Sequence, residues 1–149
     1  MDLKKVIFAL LVTAWAFSLG IGFVWITDYS TKPSIPAHIS KKLPAGIFAE
    51  SNSTRPKMVL FIHPKCACSR ATLNELARIV AGNEDSFEIK VIFYKPNGIS
   101  REWLETDLWE TARIIPNVEI ATMTEAEIKR FGAVTSGQTI LYDADGNVE

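Results

Sequence analysis

Hydrophobic residues are distributed differently in the first and the later parts of this 149-residue chain. The segment from Val6 to Ile26 is apolar and carries no charge, and about 20 such residues span a bilayer as a helix. Lys4 and Lys5 precede this segment, which predicts a cytoplasmic N-terminus and an exported remainder. We therefore expect an uncleaved membrane anchor over residues 1–27. The alternative is a cleavable signal peptide, whose apolar core is usually shorter and ends in small residues.

Residues 28–45 show no sustained hydrophobic period. This segment combines prolines, serines and lysines, among them Pro33, Pro36 and Ser40. Such a composition is typical of a partly extended tether. Regular patterns return over residues 46–149, and this length suits one domain.

Two hydrophobic periods alternate within residues 46–149. Runs rich in Ile, Val, Phe and Tyr predict strands at Lys57–Ile62, Phe87–Tyr94, Val118–Thr122 and Gln138–Tyr142. Apolar residues at helical spacing, bounded by caps and breakers, predict three helices that start near Cys68, Ser100 and Thr124 and end near Gly82, Ile115 and Phe131. This alternation predicts an α/β fold, with a central mixed sheet and helices on both faces.

The connections between these elements predict a topology. Because crossovers between parallel strands are right-handed, we expect the first two strands to be parallel, with the helices that start near Cys68 and Ser100 on opposite faces. Asp143–Gly146 has the composition of a hairpin turn. Since the chain stops soon after this turn, we expect the domain to be truncated at its C-terminus, with an unpaired last strand.

Charge and cysteine content narrow the possible functions. The net charge is −1 and the basic residues are scattered, which argues against a nucleic-acid-binding protein. The chain contains 2 cysteines, Cys66 and Cys68, and an exported domain lies in a compartment where disulfides form. We favour a redox-active pair over the alternative that both are buried packing residues.

The cysteines stand between a predicted buried strand and a predicted helix. The partial positive charge at the helix N-terminus, with Lys65 and Arg70 nearby, favours the thiolate form. We expect Cys66 to be the more acidic and more exposed thiol, and Cys68 to be shielded by the first helical turn. Residues i and i+2 of a helix point apart, so a disulfide here requires a non-helical turn and is expected to be strained and readily reduced. Ser69 is expected to cap the helix.

Two other functions are compatible with the same residues. Two thiolates and a nearby imidazole suit Cu(I), so Cys66, Cys68 and His63 form the alternative, a copper-binding site. The other histidine, His38, falls in the predicted tether. The remaining alternative is a non-catalytic interaction module.

Four short motifs follow one another in a set order, at His63–Arg70, Thr106–Trp109, Arg130–Gly137 and Leu141–Asp143. Together with the order of the elements, they resemble the thioredoxin-like superfamily, and within it the membrane-tethered proteins described as RedB-type. The resemblance covers the chain from about Lys57 to Val148. It implies a thioredoxin-like fold without a bound cofactor.

The resemblance also implies roles for individual residues. Cys66 takes the place of the nucleophilic first cysteine of a Cys-x-x-Cys motif, and Ser69 stands where the second cysteine is usual. Leu60 stands where thioredoxins have a buried carboxylate, and Lys65 replaces a flanking tryptophan. The loop expected to bind the substrate backbone consists of Thr135, Ser136, Gly137 and Gln138, with Gln138 in the place of a cis-proline.

Together, these observations predict a thiol–disulfide oxidoreductase in which Cys66 attacks and Cys68 resolves the mixed disulfide. It would be anchored by one span in a bacterial cytoplasmic membrane, with its domain in the periplasm. Its partners would be a protein with a disulfide or dithiol and a second redox protein.

Overall fold

The structure, a computed structural model, describes residues 2–31, 38–48, 54–83 and 85–149. The chain divides into two compact units, Met1–Pro36 and Ala37–Glu149. The described part of the first unit forms the helix α1 (Leu3–Thr31), whose most apolar 18-residue stretch has a mean hydropathy of 2.2, and α1 is long and apolar enough to cross a membrane. It continues through residues 28–31, where the tether was expected to begin. Pro33 and Pro36 of the predicted tether lie outside the described residues.

The second unit is built on a four-stranded mixed sheet. Its strands are β1 (Lys57–Ile62), β2 (Glu88–Tyr94), β3 (Val118–Met123) and β4 (Thr139–Tyr142). In the order β3-β2-β1-β4, the three strands β3, β2 and β1 are parallel and β4 is antiparallel to β1. The predicted mixed sheet and the parallel pairing of its first two strands are confirmed.

Helices follow each of the first three strands. They are α2 (Cys68–Val80), α3 (Asp107–Ile114) and α4 (Glu125–Lys129). The capping box predicted for the last helix is present, because the Thr124 side chain and the Glu127 side chain each bond to the other residue's backbone amide.

The single long helix predicted from Ser100 to Ile115 is wrong. A 3₁₀ turn (Arg101–Leu104) is separated from α3 by Glu105 and Thr106, and Thr106 has an extended backbone with φ −120°. The Thr106 hydroxyl accepts a hydrogen bond from the amide of Trp109 at 3.4 Å. Threonine is a weak helix former and a good N-cap, so a new helix begins after it.

The helices α2 and α3 pack on the same face of the sheet, so the prediction that they cover opposite faces is wrong. One buried cluster combines side chains of both helices with alternate residues of β1 and β2: Met58, Leu60, Ile62, Leu73, Leu76, Val80, Ile89, Val91, Phe93, Leu108 and Ala112. The strands β1, β2 and β3 lie side by side in sequence order. Two successive right-handed crossovers that advance in one direction must place both helices on one face.

The opposite face is covered by the α4 region and by residues that precede β1. Its buried cluster consists of Val59, Phe61, Ile92, Phe131, Ala133, Ile140 and Tyr142, with Leu43, Ile47 and Phe48 packed against it. The segment around Leu43 was expected to belong to a tether. Instead, the amide of Ser40 donates to the carbonyl of Phe131 at 3.0 Å, and that of Leu43 donates to Gly146 at 2.8 Å.

Candidate active site

The two cysteines lie where β1 ends and α2 begins. The amide of Cys66 donates to the carbonyl of His63 at 3.0 Å, which closes a turn directly after the strand. The helix starts only at Cys68, so the two cysteines do not share a helical turn. They form a disulfide with a Cα–Cα distance of 5.3 Å. The site therefore contains a redox-capable pair at a helix N-terminus, where thiolates are favoured once the pair is reduced.

The relative exposure of the cysteines is the reverse of the prediction. Cys68 is exposed, whereas Cys66 is half-buried. A helical side chain covers the turn that precedes it. Because Cys68 is the first residue of α2, no earlier turn of that helix shields it. Cys66 instead forms part of the wall of a cavity.

A pair of hydroxyl groups joins the start of α2 to the loop before β4. Ser69 is fully buried, and its Oγ lies 2.6 Å from Oγ of Ser136. The Ser136 Oγ also accepts the amide of His63 at 2.7 Å. The expectation that Ser69 caps the helix is wrong, because the N-cap residue is Ala67 and no side chain bonds there. Ser69 instead fixes the distance between the helix and the loop.

The loop before β4 brings its backbone to the cysteines. Sγ of Cys68 lies 3.9 Å from the carbonyl oxygen of Ser136. The next amide, that of Gly137, donates to the carbonyl of Phe61 on β1 at 2.7 Å. Gly137 has φ +83°, and a Cβ there would come within 2.7 Å of Oγ1 of Thr72. The loop therefore contacts both β1 and the disulfide.

Gln138 organises the rest of this loop. Its side-chain carbonyl oxygen accepts the amide of Val134 at 3.0 Å and that of Thr135 at 3.4 Å. The amides that could bind an extended peptide backbone are thus paired within the loop. A partner that uses them has to displace the Gln138 side chain.

The Arg70 side chain is held in an ion pair. Its guanidinium forms an ion pair with Asp107 at the start of α3. The Arg70 guanidinium, through its hydrogen bond and its charge, lowers the pKa of Asp107 below its ordinary value. Asp107 thus joins two helices across 37 residues of sequence. The other cation expected to act on the pair, Lys65, has its Nζ 5.5 Å from the centroid of the Trp103 ring.

His63 packs in an aromatic cluster beside the disulfide. Its ring stacks on Tyr94 at 5.6 Å and meets the edge of Trp103 at 5.3 Å between centroids. Its Nδ1 accepts the amide of Lys65 at 3.2 Å. Within the described parts of the chain, no three His, Cys, Asp or Glu side chains are grouped so that they could hold a metal ion. The His63 ring is thus held by aromatic packing and by the Lys65 amide.

A cavity of about 670 Å³ opens beside Cys66. One wall comes from the end of β1 and the cysteine turn, and the other from α4 and the loop at 133–136. The α4 residues on this wall were not predicted: Glu125, Ile128 and Lys129. Ile128 and Lys129 follow Glu125 by three and four residues, so the three side chains share one helix face. No sequence pattern predicts that this face lies opposite the cysteines.

Comparison with known proteins supports the fold. The chain matches no model of a protein family and no curated protein. Among solved structures, it resembles a thiol-disulfide oxidoreductase from Bacteroides fragilis NCTC 9343, with 18% identity, a TM-score of 0.50, and coverage of 67% of this chain and 73% of that one. The domain has a thioredoxin-like fold.

Two further structures are similar to the chain at lower TM-scores. The first is a secreted disulfide oxidoreductase from Mycobacterium tuberculosis, with 17% identity, a TM-score of 0.49, and coverage of 64% of this chain and 67% of that one. The second is StoA from Bacillus subtilis, with 14% identity, a TM-score of 0.49, and coverage of 78% and 87%.

Proposed function

We propose that this protein is a membrane-anchored, extracytoplasmic thiol–disulfide oxidoreductase whose redox pair is Cys66 and Cys68. The observation that carries the proposal is the disulfide between them, at the N-terminus of α2 and beside a cavity large enough for a side chain of a partner protein. The Bacteroides fragilis protein of similar fold is named a thiol-disulfide oxidoreductase, and the proposal extends that activity to this chain. We further propose that it is a RedB-type protein, on the motifs given above.

The proposed exchange proceeds in two steps. In the reduced protein, the Cys66 thiolate attacks one sulfur of a partner disulfide, whose other sulfur leaves as a thiolate and takes up a proton. Cys68 then loses its proton and attacks Sγ of Cys66, which releases the partner's second thiol. The partner gains two electrons and the pair becomes the disulfide seen here. A dithiol protein in the same compartment restores the reduced pair by the reverse reaction.

The cavity and its rim supply what this chemistry needs from the protein. Phe61, Ile62 and Val134 give the cavity an apolar wall, which removes a partner's side chain from water and keeps its cysteine at Cys66. Glu125 and Lys129 form an ion pair of 2.6 Å at the cavity. The substrate loop proposed here is Thr135 to Gln138, with Ser136 beside both cysteines and Gln138 controlling access to the loop amides.

Exchange activity tests the proposal directly. We expect the full chain in detergent to titrate as a two-electron couple in glutathione redox buffers and to speed reduction of insulin disulfides by dithiothreitol. The matched control is the double variant Cys66→Ser/Cys68→Ser, which should show neither property. If the wild-type protein does not raise the rate of insulin reduction above that of dithiothreitol alone, the proposal is contradicted. The copper alternative would be favoured by a different pair of results. The wild-type protein would bind Cu(I) without exchanging disulfides, and His63→Ala would lose this binding.

Membrane topology provides a separate prediction. We expect α1 to remain in the mature protein and Cys66 to react, after reduction, with a maleimide that cannot cross the membrane when it is added outside intact bacterial spheroplasts. The physical basis is the uncharged span that follows Lys4 and Lys5, which orients the chain with its N-terminus inside.

The control for topology places a thiol on the other side. Asp2→Cys in the Cys66→Ser/Cys68→Ser background should react only after the spheroplasts are lysed. A mature N-terminus between Gly20 and Ser40, or labelling of Cys66 only after lysis, would show that the anchor or its orientation is wrong.

A further inference from the structure

The peptide group between Ser136 and Gly137 is held in a defined orientation beside Cys68. Its N–H donates to the Phe61 carbonyl at 2.7 Å. In a trans peptide the C=O points opposite to the N–H, and here the Ser136 carbonyl oxygen lies 3.9 Å from Sγ of Cys68. The peptide therefore connects the central strand on one side with the second cysteine on the other.

The side chain of Ser136 fixes the same peptide from a third direction. Its hydroxyl contacts the buried Ser69 hydroxyl at 2.6 Å and accepts the His63 amide at 2.7 Å. Ser69 follows Cys68 directly, so helix α2 and the loop cannot separate without breaking this contact. Three hydrogen bonds thus keep the carbonyl oxygen at the sulfur.

We propose that Ser136 is a positioning residue that sets the order of attack: its carbonyl oxygen keeps the thiol of Cys68 protonated, and its hydroxyl holds that carbonyl in place. The inference rests on the proposed function. A carbonyl oxygen accepts a hydrogen bond from S–H but repels a thiolate, so it stabilises the neutral form of Cys68. Cys66, on the cavity side, then becomes the thiolate of the reduced pair.

The charged groups around the pair do not oppose this asymmetry. On the cysteine turn, Lys65 immediately precedes Cys66. On α2, Arg70 is paired with Asp107 of α3. Across the cavity, the charges of Glu125 and Lys129 on α4 oppose each other in an ion pair. Among the described residues, the Ser136 carbonyl is a polar group that contacts Sγ of Cys68 and not that of Cys66.

The order of attack follows from the two protonation states. A protonated Cys68 does not compete with Cys66 for the partner disulfide. It becomes a nucleophile only after the mixed disulfide has formed, when the departing partner sulfur or water takes its proton. This assigns attack to Cys66 even though Cys68 is the more exposed residue.

Rates of alkylation by iodoacetamide against pH, read for each cysteine by mass spectrometry on the reduced full chain, test the proposal. In the wild type, we expect Cys66 to have the lower pKa. In Ser136→Ala, we expect Cys68 to react about 3- to 10-fold faster at neutral pH, since a tenfold change corresponds to one pKa unit. Ser136→Thr, which keeps a hydroxyl, should restore the wild-type difference.

The control and a second variant keep the outcomes distinct. Ser100→Ala removes an exposed hydroxyl that donates to the Glu102 carboxylate, outside the proposed substrate loop, and should leave the difference between the two thiols unchanged. If Ser136→Ala does not fold, Gly137→Ala reports instead, because its Cβ would strain the peptide against Thr72, and it should also speed alkylation of Cys68.

Two results would overturn the proposal. One is a lower pKa for Cys68 than for Cys66 in the wild type. The other is a Ser136→Ala protein that is less stable but keeps the alkylation ratio, which would make the contact merely structural. Because alkylation requires no partner protein, a failure of the proposed exchange activity would leave this measurement intact, and the two can be told apart.

Discussion

Cys68→Ser is expected to accumulate a stable mixed disulfide with its partner, and Cys66→Ser is expected to form none. Without a second thiol, the bond between Cys66 and the partner cannot be resolved within the protein. Without Cys66, the remaining thiol is held protonated by the Ser136 carbonyl and is a poor nucleophile. Both variants should lose catalytic turnover completely, which is the largest effect expected from any single substitution in this chain.

The measurement is trapping under conditions that stop thiol exchange. Cells that express each full-length variant are quenched with acid, their free thiols are blocked with N-ethylmaleimide, and adducts are separated without reductant. Adducts that disappear on reduction should be present with Cys68→Ser alone. The double variant Cys66→Ser/Cys68→Ser is the control for non-covalent association. Equal trapping by both single variants would show that the thiols are interchangeable and that the assigned order is wrong.

The strands were predictable because their signal is local. An apolar run after Lys57, with Val59, Phe61 and Ile62 in it, marks Lys57–Ile62 with correct bounds, and β2 and β4 each begin one residue after the predicted position. Burial on both faces of a central strand requires this composition. The helix faces were not predictable in the same way. They depend on the position of β3 next to β2, which is a long-range property.

The sequence at Thr106 contains an N-cap signal, but the apolar residues around it continue at helical spacing and favour one uninterrupted helix. Apolar residues continue at helical spacing across it, from Leu104 to Leu108. Thr106 followed by Asp107 also fits a helix N-cap with an acidic residue in the first turn. In the structure Thr106 is the N-cap of α3. The consequence reaches the site, because a helix that restarts at Asp107 puts this carboxylate opposite Arg70.

The position of the cysteine pair was predictable, and the contacts around it were not. A cysteine pair between a strand and a helix is visible from sequence alone. The contact between Ser69 and Ser136 joins residues 67 positions apart, and no feature of the sequence around either serine predicts it. Exposure was predicted wrongly although the helix start near Cys68 was correct, because a side chain covers the turn before it and the first residue of a helix has no such turn to shield it.

Residues 38–40 lie against Gly132, so we expect a substitution of this glycine to destabilise the domain strongly. This glycine has φ +76°, and a Cβ there would lie 2.0 Å from the carbonyl oxygen of His38. That neighbour is backbone, so it can yield only if the segment moves away. We expect Gly132→Ala to release the segment and to break the hydrogen bond from the Ser40 amide to Phe131.

Gly98 provides a matched control for this substitution. Its φ of +75° is nearly the same, but nothing lies within 4 Å of the position that a Cβ would take there. Gly98→Ala should therefore cost only the strain of a left-handed residue, about 1–2 kcal/mol. Gly132→Ala carries the same strain and the steric clash, so we expect a further loss of at least about 2 kcal/mol in the free energy of unfolding.

Urea unfolding of the two full-length variants in the same detergent compares these losses, and hydrogen exchange locates them. In Gly132→Ala, the amide of Ser40 should lose its protection, while amides in the centre of β1 keep theirs. In Gly98→Ala, protection of Ser40 should be unchanged. Equal unfolding midpoints with Ser40 still protected would mean that residues 38–40 do not lie against Gly132. Since the loop of Ala133 and Val134 follows directly and lines the cavity, a segment that does lie there also supports the wall of the proposed substrate site.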